Sequence, residues 1–472
     1  MYSLLCVALA CLVMQCNAFS GWTQTSLVKQ VELGGSFSQI QWEADIQRTD
    51  EVPELTTEEY RPYIIYLSQT EDDRLSYIRA TVGLSNAKKD KKQVLVERGG
   101  AVLNSHDTYW YAVQIPRELA LSAEALRVNV IASILHDASP LPKAIKQGEK
   151  QYLVWSGDVG LRTPYATQFG RVMIQVPKDK VVSYAPDDGQ QTVKGIGFGP
   201  YEGLEPYDPV SAAVLQGQVR YQYDRPVITY VELNRHVEIS HWGDNMATAD
   251  TIWLRNDGAK LDGHFSRAAH MVKMWSNPSV ELATQIHTVP MLLPAGAQDV
   301  YFVDASGNVS TSTLAPSANS NGMPLPRPLE VQPRFPVLGG WNYSFTVGWN
   351  QRMSSAKLLK RLPGPNRYRV AVPYLTAPNT AAIDETSVRI VLPEGASDIQ
   401  VTLPFKMDLE QYTKYSTYLD TVGRPAVILK RAKCTSRLNS FVYVDYTLSP
   451  MAHARKILAV AAAAALIFFV MA

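Results

Sequence analysis

Residues 39–47 alternate strictly. Ile40, Trp42, Ala44 and Ile46 fall on one side, and Gln39, Gln41, Glu43, Asp45 and Gln47 on the other. Successive side chains of a strand point to opposite faces, so this run predicts a β-strand with one dry and one wet face. The same period returns at 63–67, 77–82, 108–115, 126–130 and 152–155, separated by Gly, Pro and Asp clusters. After the turn-rich stretches 203–209 and 221–226, fresh strands are predicted at 227–233 and 237–240. Further on, Trp341, Tyr343, Phe345, Val347 and Trp349 share a face opposite Asn342, Ser344 and Thr346. Helical spacing is confined to 266–275 and 354–361. A mainly β protein is expected, with two tandem β-sandwich-like domains, 19–224 and 225–448, meeting near Asp224.

Two other patterns bear on the second half. Leu293-Pro294-Ala295-Gly296-Ala297-Gln298-Asp299-Val300 is echoed by Leu392-Pro393-Glu394-Gly395-Ala396-Ser397-Asp398-Ile399. Each reads as a Pro-Gly turn feeding a strand, and the two could be equivalent hairpins of one sandwich. Between them, the prolines of 324–336 predict a rigid extended loop leading to Trp341.

The ends differ from the middle. Residues 1–18 carry an apolar stretch closed by Cys16-Asn17-Ala18, the pattern of a cleaved secretory signal, with Ser20 as the alternative cut. Cys6, Cys11 and Cys16 leave with that segment, so the mature chain keeps only Cys434, expected as a buried inert thiol. At the other end, 457–472 has no polar residue and follows Arg455-Lys456. As a helix it rises about 24 Å, short of a ~30 Å bilayer core but within reach of a thin one if the basic stems snorkel. A single-span helix and a GPI signal with attachment near Ser449 both fit, and either leaves the folded part in the lumen.

The composition removes some function classes. Lys+Arg total 45 against 44 Asp+Glu, a net charge of +1, without the clustered basic run of a nucleic-acid binder. With 9 Trp, 24 Tyr and 12 Phe the chain can pack extended cores and does not read as disordered.

Candidate chemistry is sparse. Two glycan-acceptor sequons occur, Asn308-Val309-Ser310 in a turn and Asn342-Tyr343-Ser344 on a wet strand face, while Pro278 excludes Asn277. His236 and His241 flank Glu238, but they stand five apart on a strand and face opposite ways, unlike the His pair of a zinc helix. His264 and His270 could add ligands in principle; no metal or cofactor is expected, nor any catalytic residue. Gly195-Ile196-Gly197-Phe198-Gly199-Pro200 resembles a dinucleotide loop until Pro200 and is read as a turn. Asp72-Asp73 and Asp187-Asp188 are read as solvated loop charges.

Several strings nevertheless resemble one family across nearly the whole luminal part. They are Thr163-Pro164-Tyr165-Ala166-Thr167-Gln168, Ile239-Ser240-His241-Trp242-Gly243, Phe265-Ser266-Arg267, Leu293-Pro294 through Asp299-Val300-Tyr301, and Gly307-Asn308-Val309-Ser310-Thr311-Ser312. Pro333-Arg334-Phe335-Pro336 with Gly339-Gly340-Trp341, and Tyr418-Leu419-Asp420-Thr421-Val422-Gly423-Arg424-Pro425, complete the set. Together they are similar to ribophorin I. The resemblance implies a non-catalytic subunit of the oligosaccharyltransferase complex in the endoplasmic reticulum membrane, type I, with two luminal β-rich domains. It also implies a membrane helix at 457–472 in preference to a GPI signal. Expected partners are the catalytic multi-spanning subunit, other subunits of the complex, nascent polypeptides and the translocon, with no nucleic acid. Longer family members continue into a cytosolic segment after the helix, whereas this sequence ends at Ala472, so a ribosome-side contact assigned to that segment is left open. Rival readings from other classes are a GPI-anchored β-sandwich binding protein and a luminal hydrolase built on the histidines.

Overall fold

The computed structural model describes residues 21–48, 60–84, 91–102, 105, 107–122, 125–177, 180–209, 214–276, 284–320, 323–376, 380–417, 420 and 422–471. The expected signal, 1–18, lies outside the described residues. The fold is mainly β and divides into two compact units, one running to Arg225 with 259–268 added, the other comprising 226–258 and 269 onward.

The first unit is organised on an eight-stranded sheet. Across it lie Gln190–Thr192, Gly195–Leu204, Thr167–Gln175, Trp22–Glu32, Phe37–Arg48, Ala125–Leu135, Leu75–Leu84 and Lys92–Val94. All neighbours are antiparallel except Trp22–Glu32 with Thr167–Gln175. The unit also holds a three-stranded sheet (Tyr60–Ser68, Thr108–Pro116, Val96–Ala101), a four-stranded one (Val181–Ala185, Gln216–Gln222, Tyr152–Asp158, Ala138–Pro140) and a short parallel pair, Ala144–Ile145 with Lys260–Leu261. The alternation of 39–47 does what was expected: Ile40, Trp42, Ala44 and Ile46 are buried, while Gln41, Glu43 and Asp45 are half-buried.

The second unit repeats this plan strand for strand. Its eight-stranded sheet runs Leu409–Tyr415, Arg424–Thr435, Ala382–Val391, Ile228–Ser240, Asn245–Asn256, Asn342–Arg352, Gln298–Asp304 and Gly307–Asn308, with the parallel pair again formed by the unit's first strand, Ile228–Ser240, and Ala382–Val391. Its three-stranded sheet (Val289–Leu293, Arg327–Val331, Thr313–Leu314) and four-stranded sheet (Ala396–Thr402, Phe441–Leu448, Arg367–Pro373, Leu359–Arg361) take the corresponding places in chain order. Even the bulge in the first hairpin recurs, at Gln24/Ser26 and at Tyr230/Glu232.

Several local expectations need correction. Residues 227–240 are one strand, Ile228–Ser240, because the bulge and a buried arginine interrupt the apolar period without interrupting the ladder. Residues 195–200 are not a turn but the start of the strand Gly195–Leu204, with Ile196 and Phe198 buried. Glycine is needed there because a Cβ on Gly195, at φ +155°, would come within 1.9 Å of the Ile174 carbonyl oxygen. The proline-rich 324–336 is not a free loop, since Arg327–Val331 pairs on both sides. The twin Pro-Gly motifs feed strands as expected, but strands of two different sheets.

Helix 266–275 is present as Arg267–Ser276. Helix 354–361 is absent. The Asp244 carboxylate accepts from Ser354 N at 3.0 Å and from its hydroxyl, Lys357 takes φ +55°, and Leu359–Arg361 then enters a sheet. A left-handed residue stops helix propagation, so the local spacing loses to turn chemistry. A terminal helix spans Pro450–Met471. Among the described residues no helix is long and apolar enough to cross a membrane.

Candidate functional site

Both sequons fall at the same end of the second unit's large sheet. Asn308 opposes Val303, Val303 opposes Thr346, and Thr346 belongs to the strand that Asn342 opens. Asn308 and Asn342 are exposed, as are Ser310 and Ser344. The alternation of 342–347 explains the second case, because Tyr343, Phe345 and Val347 are buried and their neighbours are thereby turned outward. Trp341, expected on the dry face, is 36% exposed and lies just outside the strand.

A polar clamp fixes this end. The Asp304 carboxylate accepts from Arg334 Nε at 2.5 Å, Tyr343 Oη at 3.0 Å and Ser306 N at 2.9 Å. Arg334 Nη2 also donates to the carbonyls of Gly307 (3.3 Å) and Asn308 (3.1 Å), which holds the sequon turn by its backbone and leaves the Asn308 amide outward. The Arg334 hydrogen bond keeps Asp304 below the usual carboxylate range, while burial, helped by Asp304, pushes Tyr343 up to about 12. Phe335 packs edge-on to Trp341 and Tyr343, at ring-centroid separations of 6.2 and 5.5 Å. Sequence reasoning found the two asparagines and missed the clamp, whose members are up to 39 residues apart.

The histidines go to separate places. His236 Nε2 lies 3.0 Å from Glu238 and its ring meets Tyr415, whereas His241 shares a 2.6 Å hydrogen bond with Tyr446 Oη and sits edge-on to Tyr368. His264 is exposed and His270 stacks on His287 at 5.5 Å. Among the described residues no group of three His, Cys, Asp or Glu could hold a metal ion. Asp72 corrects the reading of a solvated pair: it is buried, bound by Arg98 Nε at 2.9 Å and by Tyr111 Oη, while Asp73, Asp187 and Asp188 are exposed. A helix begun by Ser68 turns Asp72 inward, which the linear Asp-Asp pair does not reveal. Cys434 is free and 0% exposed, buried as expected, and burial raises its thiol pKa.

A sequence profile of the family described as Ribophorin I matches residues 22–472. The chain belongs to the ribophorin I family. Relatives named dolichyl-diphosphooligosaccharide-protein glycosyltransferase subunit 1B are 27% identical in Oryza sativa subsp. japonica, over 84% of this chain and 80% of that one, and 29% identical in Arabidopsis thaliana, over 73% and 70%. Subunit 1 of Caenorhabditis elegans is 28% identical over 81% of this chain and 61% of its own length. A crystal structure of a two-domain M1 zinc metallopeptidase overlays with TM-score 0.27 and 8% identity over 48% of this chain and 44% of that one, a likeness that carries no argument.

In this ribophorin I family chain, one string that carried the resemblance, Thr163-Pro164-Tyr165-Ala166-Thr167-Gln168, is a structural joint. Gln24 Oε1 accepts from Thr163 (3.1 Å) and Thr167 (2.6 Å), its amide meets Tyr63 Oη, and Tyr63 stacks on Tyr165 at 5.2 Å. Burial without a counter-charge drives the Tyr63 and Tyr165 hydroxyls well above their ordinary pKa, so they serve as hydrogen-bonding groups. A deeper tie repeats between the units. Four residues past each first-strand bulge stands a buried cation, Lys29 or Arg235. Each donates to the carbonyl of the last residue of the equivalent strand: Lys29 Nζ to Asp158 O at 3.0 Å, and Arg235 Nη1 to Pro373 O at 2.7 Å. Lys29 also meets Glu71 at 3.6 Å; Arg235 forks onto Asp250 at 2.7 and 2.6 Å and lies over Trp349. The cation therefore joins the large sheet to the four-stranded sheet in each unit.

Proposed function

We propose that this chain is a non-catalytic accessory subunit of an oligosaccharyltransferase complex associated with the endoplasmic reticulum. It supports transfer of a preassembled oligosaccharide from dolichyl diphosphate to Asn of Asn-X-Ser/Thr in nascent proteins, by scaffolding the catalytic multi-spanning subunit and handling the substrate polypeptide. The observation that carries this reading is membership of the ribophorin I family over residues 22–472, with relatives named as subunit 1 of that glycosyltransferase. The site geometry agrees with it, because the buried ions and tyrosines described above are engaged in joining sheets. Mild-detergent capture of the tagged chain should bring oligosaccharyltransferase activity with it. Absence of that activity from a capture that retains the chain would overturn the reading, and so would peptide glycosylation by the chain purified alone.

Within that reading, Asn308 and Asn342 are glycan carriers of the luminal part, supported by their exposure and by the clamp that presents the first turn. Asn308→Gln and Asn342→Gln should each remove one endoglycosidase-sensitive step in gel mobility; an unchanged ladder rejects that site. The Pro450–Met471 helix is the anchor, supported by exposure of Leu458, Val460, Leu466, Phe468 and Phe469. Its uninterrupted apolar part, 457–471, rises about 22 Å, so the stem of Arg455 must extend the span toward the headgroups. Small residues at 459 and 461–465 would let another helix approach closely. Resistance to carbonate extraction is expected, whereas release by phospholipase would favour a GPI anchor.

A further inference from the structure

Trp253 stands where its strand is otherwise polar or small. Along Asn245–Asn256 the even-numbered residues from Met246 are buried, so Asn245, Ala247, Ala249, Thr251, Trp253 and Arg255 turn outward. Trp253 is the one large apolar side chain among them, and it is 46% exposed. Leaving an indole in water costs free energy roughly in proportion to its area. The sheet register places that indole beside a sequon. Trp253 pairs with Ser344, and Arg255 pairs with Asn342. Ser344 is the hydroxyl residue of Asn342-Tyr343-Ser344, so the acceptor asparagine is the diagonal cross-strand neighbour of Trp253, with Cβ atoms about 7 Å apart. Burial of Ile252, Leu254, Tyr343 and Phe345 puts Asn342, Ser344, Trp253 and Arg255 on the same outward face. The carboxylate of Asp257 takes Nε and Nη2 of Arg255, the latter at 3.1 Å, which draws the guanidinium along the strand away from Trp253. Asn308 opposes Val303 and shares this face, but it lies three strands from Trp253, about 14 Å at the usual strand spacing.

We infer that Trp253 is the seat of the glycan carried at Asn342, whose first N-acetylglucosamine folds back onto the sheet and lays one face of its ring on the indole. The chemistry selects a sugar. The indole face is electron-rich, and the C–H bonds that line one face of a pyranose ring are weakly positive and apolar, while the hydroxyls and acetamide stay at the rim in water. The covalent link selects this sugar, because attachment at Asn342 confines it within reach of the ring at an effective concentration that no free ligand matches. The inference rests on the reading of Asn342 as a glycan carrier, and adds where that glycan lies and which side chain holds it.

The test uses the full chain from a secretory host, with Asn308→Gln so that the Asn342 glycan is followed alone, and with Asn342→Gln so that the Asn308 glycan is. Endoglycosidase H cuts between the first two N-acetylglucosamines, and its rate on the native chain reports access to that linkage. Trp253→Thr should speed cleavage at Asn342 severalfold and leave cleavage at Asn308 unchanged. Trp253→Tyr, which keeps an aromatic face, should retain the slow rate, and Trp253→Leu, apolar but without a ring, should be fast. Circular dichroism checks the fold of each variant, and the leucine variant decides if the threonine one misfolds. An unchanged rate at Asn342 without the aromatic ring, or equal acceleration at both sites, overturns the inference. Intact mass separates the two readings: a chain that bears no glycan at Asn342 removes the carrier and the seat together, whereas a glycan that is present and cleaved at an unchanged rate removes the seat alone.

Discussion

Arg235 and Asp250 face each other across the first hairpin of the second unit, 2% and 0% exposed. Methionine at 235 would fill most of the arginine stem yet leave the Asp250 carboxylate buried without its counter-ion. Removing one member of such a pair costs about 3–5 kcal/mol, whereas replacing both with apolar residues is often near neutral. Arg235→Met should therefore lower the urea midpoint strongly, and Arg235→Met with Asp250→Leu should recover a large part of the loss. A single variant as stable as the parent would show that the pair does not hold the sheets.

Two other carboxyls give opposite pH signatures. The His236 hydrogen bond, and then Arg424, hold half-buried Glu238 down at about 2 against an ordinary 4.5. Its stabilising contribution is complete above about pH 4.5 and is lost as the pH falls toward 2, so Glu238→Gln should flatten that part of the acid limb. Asp137, which accepts from Ser38 and from Trp155 Nε1 at 3.0 Å, is pushed by burial to about 6 from 3.8. The folded state then favours its neutral form, so its contribution falls as the pH rises from 3.8 to 6. Relative to the parent, Asp137→Asn should gain stability over that interval, by at most about 1.4 kcal/mol per pH unit. Denaturant titrations at several pH values separate the two, and matching slopes in variant and parent would refute either assignment.

At the scale of elements, the twin turns offer a controlled comparison. Ala297 N donates to Pro294 O at 3.2 Å and Ala396 N to Pro393 O at 3.1 Å, with Gly296 and Gly395 at φ +79° and +83°, the third position of type II turns. In both, an aspartate at φ +50° follows three residues on, inside a bulge. Alanine at 296 meets open space and should cost only the left-handed strain, about 1 kcal/mol. Alanine at 395 meets the same strain and places its Cβ 2.5 Å from that of buried Ala452, near the start of the terminal helix. Gly395→Ala should thus lower the melting temperature clearly more than Gly296→Ala, and equal losses would show that the helix start yields freely.

These turns were legible because Pro and Gly at fixed spacing dictate a backbone. The strand faces 39–47 and 343–349 were legible for the same local reason, period two, while Trp341 fell outside its strand. Residues 227–240 were less so, since a bulge shifts the period and Arg235 occupies a dry position that only a partner on the next strand makes tolerable. The exposure of Asn308 followed from its turn, but the Asp304, Arg334 and Tyr343 clamp did not. Those residues meet through sheet pairing, and nothing in the neighbourhood of any one of them announces the others.

At the scale of the whole molecule, what repeats is topology, while the residues at matching positions differ. Lys29 and Arg235 hold the same place, yet their cross-strand neighbours are Trp42 and Asp250. A repeat of this kind escapes comparison of letters, because a sheet plan constrains polarity and backbone geometry far more than side-chain identity. Each unit has its own buried core and its own cation tie, although the first borrows residues 259–268 from the middle of the second. Units with separate cores melt as separate cooperative blocks when few contacts couple them. Calorimetry should therefore resolve two transitions. Arg235→Met should lower one of them, and Thr167→Val, which leaves Gln24 Oε1 short of its 2.6 Å donor in the first unit, should lower the other. A single transition that moves with both variants would mean that the exchanged segment welds the two units into one cooperative block.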